Sequence, residues 1–308
     1  KIFEGHEEHF FTLVRRILAL DHRDGVDTDE PVMRAINHPV GQVTEALLHW
    51  WYRRSLEDGQ GLSKEFKPTF TELCDTRIDQ FRHGRVLLAA HNIALFRVDQ
   101  DWATQHLIPL FDWQRSETEA RAAWEGFLWS SRLYHPLMEV LKPTFLNTVN
   151  HYAQLSKYKE QYAAFLTFVA LDPGDTFTTA ELAGATRALP PDGLHDAAQA
   201  LVRALEGAGD QHVEYWTNRV KPYLERIWPK TRDRISPTIS ESLGRLCVAV
   251  QSAFPEALAL LRAWLQPLPY PDYLVHQLHE ADLCGRFPEQ ALDFLSLVIG
   301  DQTQWPPS

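Results

Sequence analysis

A chain of 308 residues with 44% hydrophobic, 11% aromatic and 23% charged residues has the make-up of a folded protein, which excludes disorder over most of its length. Its formal net charge of −11 opposes attachment to phosphate backbones and anionic lipid, and so argues against nucleic acid as a partner. The longest apolar run, Tyr162 to Leu171, is short of the roughly 18 residues a bilayer span needs and contains Thr167, so no membrane segment is expected.

The first residues, Lys1, Ile2, Phe3 and Glu4, lead into a helical pattern rather than a signal peptide. With no Met at position 1, the chain reads as a piece of a longer protein. Phe10, Leu13, Val14, Ile17 and Leu18 follow the i, i+3, i+4 spacing of one helix face. After the polar loop Asp21 to Glu30, Pro31 opens a short segment. Beyond Asn37, His38 and Pro39, a second strong helix carries Val43, Ala46, Leu47, Trp50 and Trp51 on one stripe, with Gly59 and Gly61 expected to stop it.

Farther along, Ser116 with Glu119 and Thr178 with Glu181 have the spacing of a capping box, in which hydroxyl and carboxylate satisfy helix-terminal N–H groups reciprocally. Breakers at Asp172–Pro173–Gly174, Pro190–Pro191–Asp192–Gly193 and Gln266–Pro267–Leu268–Pro269 leave helices joined by short links. Half-buried strand alternation is almost nowhere seen. The expected organisation is a helical half over 1–171, a loop-rich connection over 172–193 and a second helical half over 194–308.

Weak internal echoes point to repetition. Phe254–Pro255–Glu256–Ala257–Leu258 returns 33 positions later as Phe287–Pro288–Glu289–Gln290–Ala291–Leu292. Trp102 precedes Pro109–Leu110 as Trp129 precedes Pro136–Leu137. Lys67–Pro68, Lys142–Pro143 and Lys221–Pro222 are spaced by 75 and 79 residues. Together with Pro109, Pro136 and Pro222, each starting or kinking a helix, these echoes predict an all-α fold. The specific expectation is an irregular antiparallel helical-repeat solenoid of the HEAT/TPR-like kind, whose helix pairs bury their apolar faces by stacking.

Catalytic signatures are missing. His6–Glu7–Glu8–His9 has its histidines three apart, not four, and so misses the zinc-hydrolase helix motif. His276, His279, Glu280 and Cys284 share a helix face without a second cluster. The three cysteines, Cys74, Cys247 and Cys284, form neither a disulfide framework nor a paired zinc clip, which suits a reducing cytoplasmic setting. Asp99/Asp101 and Asp24/Asp27 sit where loops and helix caps place carboxylates. There is no nucleophile elbow, phosphate-binding loop or dinucleotide fingerprint, the glycines near Gly207 and Gly209 lying between helices. No cofactor, metal or catalytic residue is expected.

Basic residues cluster at Arg15–Arg16, Arg53–Arg54 and Arg232/Arg234. Trp50, Trp51 and Tyr52 directly precede Arg53 and Arg54, and Trp, Tyr and Arg dominate interface hot spots. These five are the candidate interaction residues. The competing reading puts the tryptophans in the core and the arginines at the helix C-terminus, where they complement its dipole.

Asn37–His38–Pro39–Val40–Gly41 leading into Glu45–Ala46–Leu47–Leu48, then Phe111–Asp112–Trp113, then Ala123–Trp124–Glu125–Gly126–Phe127–Leu128, resemble helical domains that lie C-terminal to sirtuin-like NAD-hydrolysing domains in bacterial anti-phage defence proteins. The resemblance covers roughly Pro31 to Tyr152 and supplies no catalytic residue. Helical arrays beyond the ATPase modules of STAND-type defence proteins are similar as well. Either resemblance implies a sensor or scaffold segment whose partner is a protein or another domain of the same polypeptide. The alternatives are a metal-assisted hydrolase built from scattered residues among the fourteen histidines and carboxylates, and a nucleic-acid-binding helical scaffold.

Overall fold

In the computed structural model, which describes residues 5, 7–22, 30–231 and 233–300, helices make up the regular structure and no strand occurs among the described residues. The chain divides into two units, Lys1–Tyr158 and Lys159–Ser308. Residues 172–193 lie inside the second unit, and part of that stretch, Thr179–Ala188, is itself helical.

The first unit begins with α1 (Glu7–Leu18). Val14 and Leu18 are buried on it, whereas Leu13 of the same expected stripe is 57% exposed. Pro31 starts α2 (Pro31–Asn37), and His38 caps α3 (Pro39–Trp51), its Nδ1 accepting from the Val40 N–H at 3.2 Å. α3 ends at Trp51. Gly59 and Gly61 do not stop it; they adopt positive φ in the following loop and donate their N–H groups to the carbonyls of Arg97 and Val98 at 2.8 Å each.

After α4 (Lys67–Leu73), helix α5 (Arg82–Ala90) forms the centre of the unit, packed against α2, α3 and α8 (Glu117–Trp129). Between α5 and α8 the chain passes through α6 (Asn92–Val98) and a short α7 (Gln100–Trp102). α7 widens into a π-helical turn at Ala103–Leu107 just before Pro109. A second π-helical turn, Trp216–Val220, precedes Pro222. Proline offers no N–H and crowds the carbonyl four residues back, so a wider turn ahead of it relieves the clash. Pro136 instead occupies the first turn of α9 (His135–Asn147), where no N–H is needed, and Pro143 lies inside that helix.

Two glycines set the packing of this unit. A Cβ on Gly126 would lie 2.3 Å from the Val86 carbonyl oxygen, and one on Gly41 would lie 1.7 Å from that of Ala35. Backbone therefore meets backbone where α8 crosses α5 and where α3 folds back on α2.

In the second unit α10 (Lys159–Leu171), α12 (Pro191–Gly207) and α15 (Pro237–Ala249) pack in succession. α11 (Thr179–Ala188) opens with a complete capping box, Thr178 accepting from the Glu181 N–H while Glu181 accepts from Thr178. At α8 only half of the expected box forms. Ser116 accepts from the Glu119 N–H, but the Glu119 carboxylate is engaged by Arg82 and Arg85. α13 (His212–Tyr215) leads through the second π-helical turn into α14 (Lys221–Arg226). The unit closes with α16 (Phe254–Leu261), α17 (Asp272–Glu280), α18 (Leu283–Arg286) and α19 (Pro288–Ile299).

The internal echoes fare differently. Phe254 and Phe287 both precede a proline at a helix start, and their rings meet at 6.3 Å where α16 packs on α19. Lys67–Pro68 and Lys221–Pro222 both begin helices, whereas Lys142–Pro143 lies within one. Trp102 is buried but Trp129 is 47% exposed, so that pair is not structurally equivalent.

Candidate interaction surface

The aromatic–arginine run at the end of α3 separates into an anchor and an exposed tip. Trp51 is buried and meets Phe70 edge-on at 6.2 Å. Trp50 is half-buried and stacks on Phe10 of α1, with ring centroids 5.4 Å apart and planes 17° apart. Tyr52, Arg53 and Arg54 are exposed. The Tyr52 hydroxyl lies 2.9 Å from His91 Nδ1. Burial, reinforced by the nearby charge of His49, lowers the His91 pKa, favouring the neutral ring able to accept that bond. Arg54 pairs with Glu65 at 3.0 Å, its guanidinium 5.9 Å from the Trp50 ring. Core packing thus claims the tryptophans, and leaves a tyrosine and two arginines on a fixed helix end.

The other clusters named from sequence are dispersed. His6 of the first motif, Asp24, Asp27 and Arg232 lie outside the described residues. Arg15 donates to the carbonyl of Phe11 on its own helix. Arg234 donates to the carbonyls of Arg187 and Leu189 at 2.7 and 2.6 Å, closing the C-terminal end of α11. His276 and Glu280 form an exposed pair one helical turn apart. Among the described residues, no group of three or more His, Cys, Asp or Glu is placed to hold a metal ion. Burial pushes the Cys74 thiol up to about 12 against the opposing charge of Arg85, and raises that of Cys247 as well. Neither is a thiolate nucleophile near neutral pH.

Sequence reasoning missed the strongest electrostatic feature. Arg85, 1% exposed, donates through Nε and Nη2 to both oxygens of Glu119 at 2.7 and 3.0 Å. Its Nη1 faces the carbonyls of Leu73, Asp75 and Ile78. Arg82 adds a third bond to Glu119, at 2.7 Å. The arrangement locks α5 to α8 and to the turn after α4. The Ser116–Glu119 spacing hid it by assigning Glu119 to a cap.

Two further carboxylates are buried in the same unit. Asp99 accepts from Lys67 Nζ at 2.8 Å and from the N–H groups of Leu62 and Trp102 at 2.9 and 3.0 Å. Burial opposes its ionisation, but these donors together hold its pKa below the ordinary value. Glu125 accepts from Arg121 at 2.9 Å, while its other oxygen is buried without a hydrogen bond. Burial raises its pKa against the pull of Arg121.

In the second unit, Glu256 accepts from Trp216 Nε1 at 2.8 Å and from Lys221 at 2.6 Å. The second unit also contains a groove of about 450 Å³ formed by the end of α12, the 209–212 turn, α15 and α17.

Among the described residues no single helix is long and apolar enough to cross a membrane. No protein-family model matches the chain, and no solved structure matches it. A 97-residue stretch is similar, at 28% identity, to a protein of Sinorhizobium fredii (strain NBRC 101917 / NGR234) described as "Uncharacterized protein y4cA". The matched stretch covers 31% of this chain and 8% of that protein, so the chain accounts for only a small part of that relative's length.

Proposed function

We propose that this chain is a non-enzymatic helical-repeat interaction module, a sensor or regulatory segment of a larger bacterial protein of the anti-phage defence kind. The observation that carries the reading is the end of α3, where Tyr52, Arg53 and Arg54 stand exposed beside a buried Trp51. Rigidly presented Tyr and Arg side chains contribute much binding energy at protein interfaces, because little freedom is lost when they are covered. The partner is a protein or another domain of the same polypeptide. The succession of α10, α12 and α15, and the meeting of Phe254 with Phe287, support a HEAT/TPR-like array. The small share of the Sinorhizobium relative that is matched supports a larger parent protein.

The test is affinity capture from bacterial cells, with and without phage challenge, using the chain and its Tyr52→Ser/Arg53→Ser/Arg54→Ser variant. The expected result is a specific protein retained by the parent chain on challenge and lost with the variant. Equal retention by both would remove the surface from the proposal. Recovery of bound nucleotide or nucleic acid with no protein would overturn the reading.

A further inference from the structure

We infer that the exposed end of α3 is one part of a docking surface formed by the ends of α3, α5 and α8, and that this surface takes an acidic segment of a protein partner. This rests on the interaction-module reading and names the chemistry of its partner. Among the described residues of the first unit, the Phe, Tyr and Trp side chains that stand exposed are Tyr52 and Trp129, 42% and 47% exposed. They are 77 positions apart in sequence, yet the fold brings them to the same end of three helices.

Two hydrogen bonds establish this. The Tyr52 hydroxyl, just past α3, lies 2.9 Å from Nδ1 of His91, just past α5. The Ser130 hydroxyl, just past α8 and next to Trp129, donates to the carbonyl of Ala90, the last residue of α5, at 2.9 Å. The two anchors are consecutive residues, whose Cα atoms lie about 3.8 Å apart. Tyr52 and Trp129 therefore fall within the span of one ordinary protein contact, about 800 Å² on each side. The position of Trp129 also accounts for a large aromatic that helix packing leaves uncovered.

Charge selects the partner. Each exposed aromatic is followed closely by an exposed arginine, Arg53 after Tyr52 and Arg132 after Trp129, and neither forms an ion pair among the described residues. The neighbouring Arg54 and Arg97 are already matched, to Glu65 and Asp58. Glu45, within electrostatic reach of His91, is half-buried farther back along α3. Helix C-termini carry partial negative charge, but their carbonyls are occupied here. Those of Leu48 and Trp50 accept from the backbone of Tyr52 and Arg53, those of Leu87 and Leu88 from His91, and that of Phe127 from Ser130. Two unmatched guanidiniums flanking two aromatics thus fit carboxylates on either side of an apolar side chain. The net charge of −11 works against any acidic ligand at long range, so binding that depends on both arginines reports this local surface.

The test is fluorine NMR of the fluorotryptophan-labelled chain, with the Trp129 signal assigned by Trp129→Phe. The probes are acetylated, amidated Asp-Glu-Leu-Glu-Asp, its amide counterpart Asn-Gln-Leu-Gln-Asn, and Lys-Lys-Leu-Lys-Lys. The acidic peptide is expected to shift the Trp129 signal saturably, less so as salt is raised. Arg53→Gln with Arg132→Gln should weaken its binding about ten-fold, with circular dichroism unchanged. No saturable shift, an equal response to the amide peptide or a stronger one to the lysine peptide would overturn the acidic-segment assignment. Affinity capture with Trp129→Ser/Arg132→Gln separates the two readings. A partner kept by this variant but lost with Tyr52→Ser/Arg53→Ser/Arg54→Ser would overturn the extension to α8 and leave the module reading standing. A peptide response that needs both arginines, with no partner captured by the parent chain, would uphold the surface and sink the module reading.

Discussion

Arg85, Asp99, Glu119 and Glu125, the charged residues buried in the described part of the chain, all belong to the first unit, while the buried polar residues of the second are the hydroxyls Thr167, Thr186, Ser240 and Ser242. The second unit keeps its ion pairs at the surface, as at Lys159–Asp192 and Lys221–Glu256. Similar helices are therefore held by different means. Apolar packing tolerates many arrangements of similar volume, whereas a buried guanidinium accepts one partner geometry and penalises all others. The first unit is specified by electrostatics in addition to packing, and its stability should respond to single charges and to pH in ways the second does not share.

The largest expected effect tests that contrast at its centre. Glu119→Ala leaves the Arg85 guanidinium buried with only backbone carbonyls as partners, and should destabilise the first unit by about 3–5 kcal/mol in urea unfolding. Replacing the pair together, Arg85→Met with Glu119→Leu, should recover more than half of that loss. A double variant as unstable as the single one would mean that Arg85 matters for holding the carbonyls of Leu73, Asp75 and Ile78 rather than for pairing with Glu119. The matching change in the second unit is Leu246→Ala, at a fully buried site. It should cost about 2–5 kcal/mol, with the same value at pH 5 and pH 8. A marked pH dependence there would break the comparison.

Much of this architecture is legible in the sequence and some is not, for identifiable reasons. Helical periodicity locates α1 and α3, because a one-sided apolar stripe leaves few other folds. Thr178–Glu181 reads correctly as a cap because both partners are local, whereas Ser116–Glu119 reads as the same cap although Glu119 answers two arginines more than 30 positions away. Long-range pairing of this kind leaves no spacing in the sequence. The aromatic–arginine run is visible, but which members face out depends on Phe10 and Phe70 arriving from other helices. The groove is invisible for the same reason, its lining residues being drawn from separate helices and turns.

Smaller effects sharpen the comparison. Gly126 sits where a Cβ would come within 2.3 Å of backbone. Gly126→Ala must push α8 off α5, and an overpacking cost of about 1–3 kcal/mol is expected in thermal unfolding. Gly184 of α11, where an added Cβ would meet nothing within 4 Å, provides the control in the second unit. Gly184→Ala should be neutral or stabilise by up to about 1 kcal/mol through helix propensity. Equal effects at both sites would remove close backbone contact as the cause.

The smallest effect is the one with a distinctive pH signature. Burial raises the pKa of Glu125 in the folded state, so between its unfolded and folded values the folded chain binds more protons than the unfolded one. Stability then falls as pH rises through that window, and the loss is complete above the folded value. Asp99 has the opposite sign, its folded pKa being depressed. Its contribution is present above the ordinary carboxylate pKa and is lost as pH falls through the lower folded value. The first unit should therefore be most stable in mildly acidic solution, between these two losses. Glu125→Gln keeps an acceptor for Arg121 while removing the buried charge, and should raise stability at pH 8 by about 1 kcal/mol, the lower end of the penalty for an unsatisfied buried group. It should leave stability near pH 4 almost unchanged. Urea titrations of the parent and the variant across pH 4–8 check this, and parallel curves would show that Glu125 ionises without cost and that its charge is satisfied by solvent or by the neighbouring Lys157.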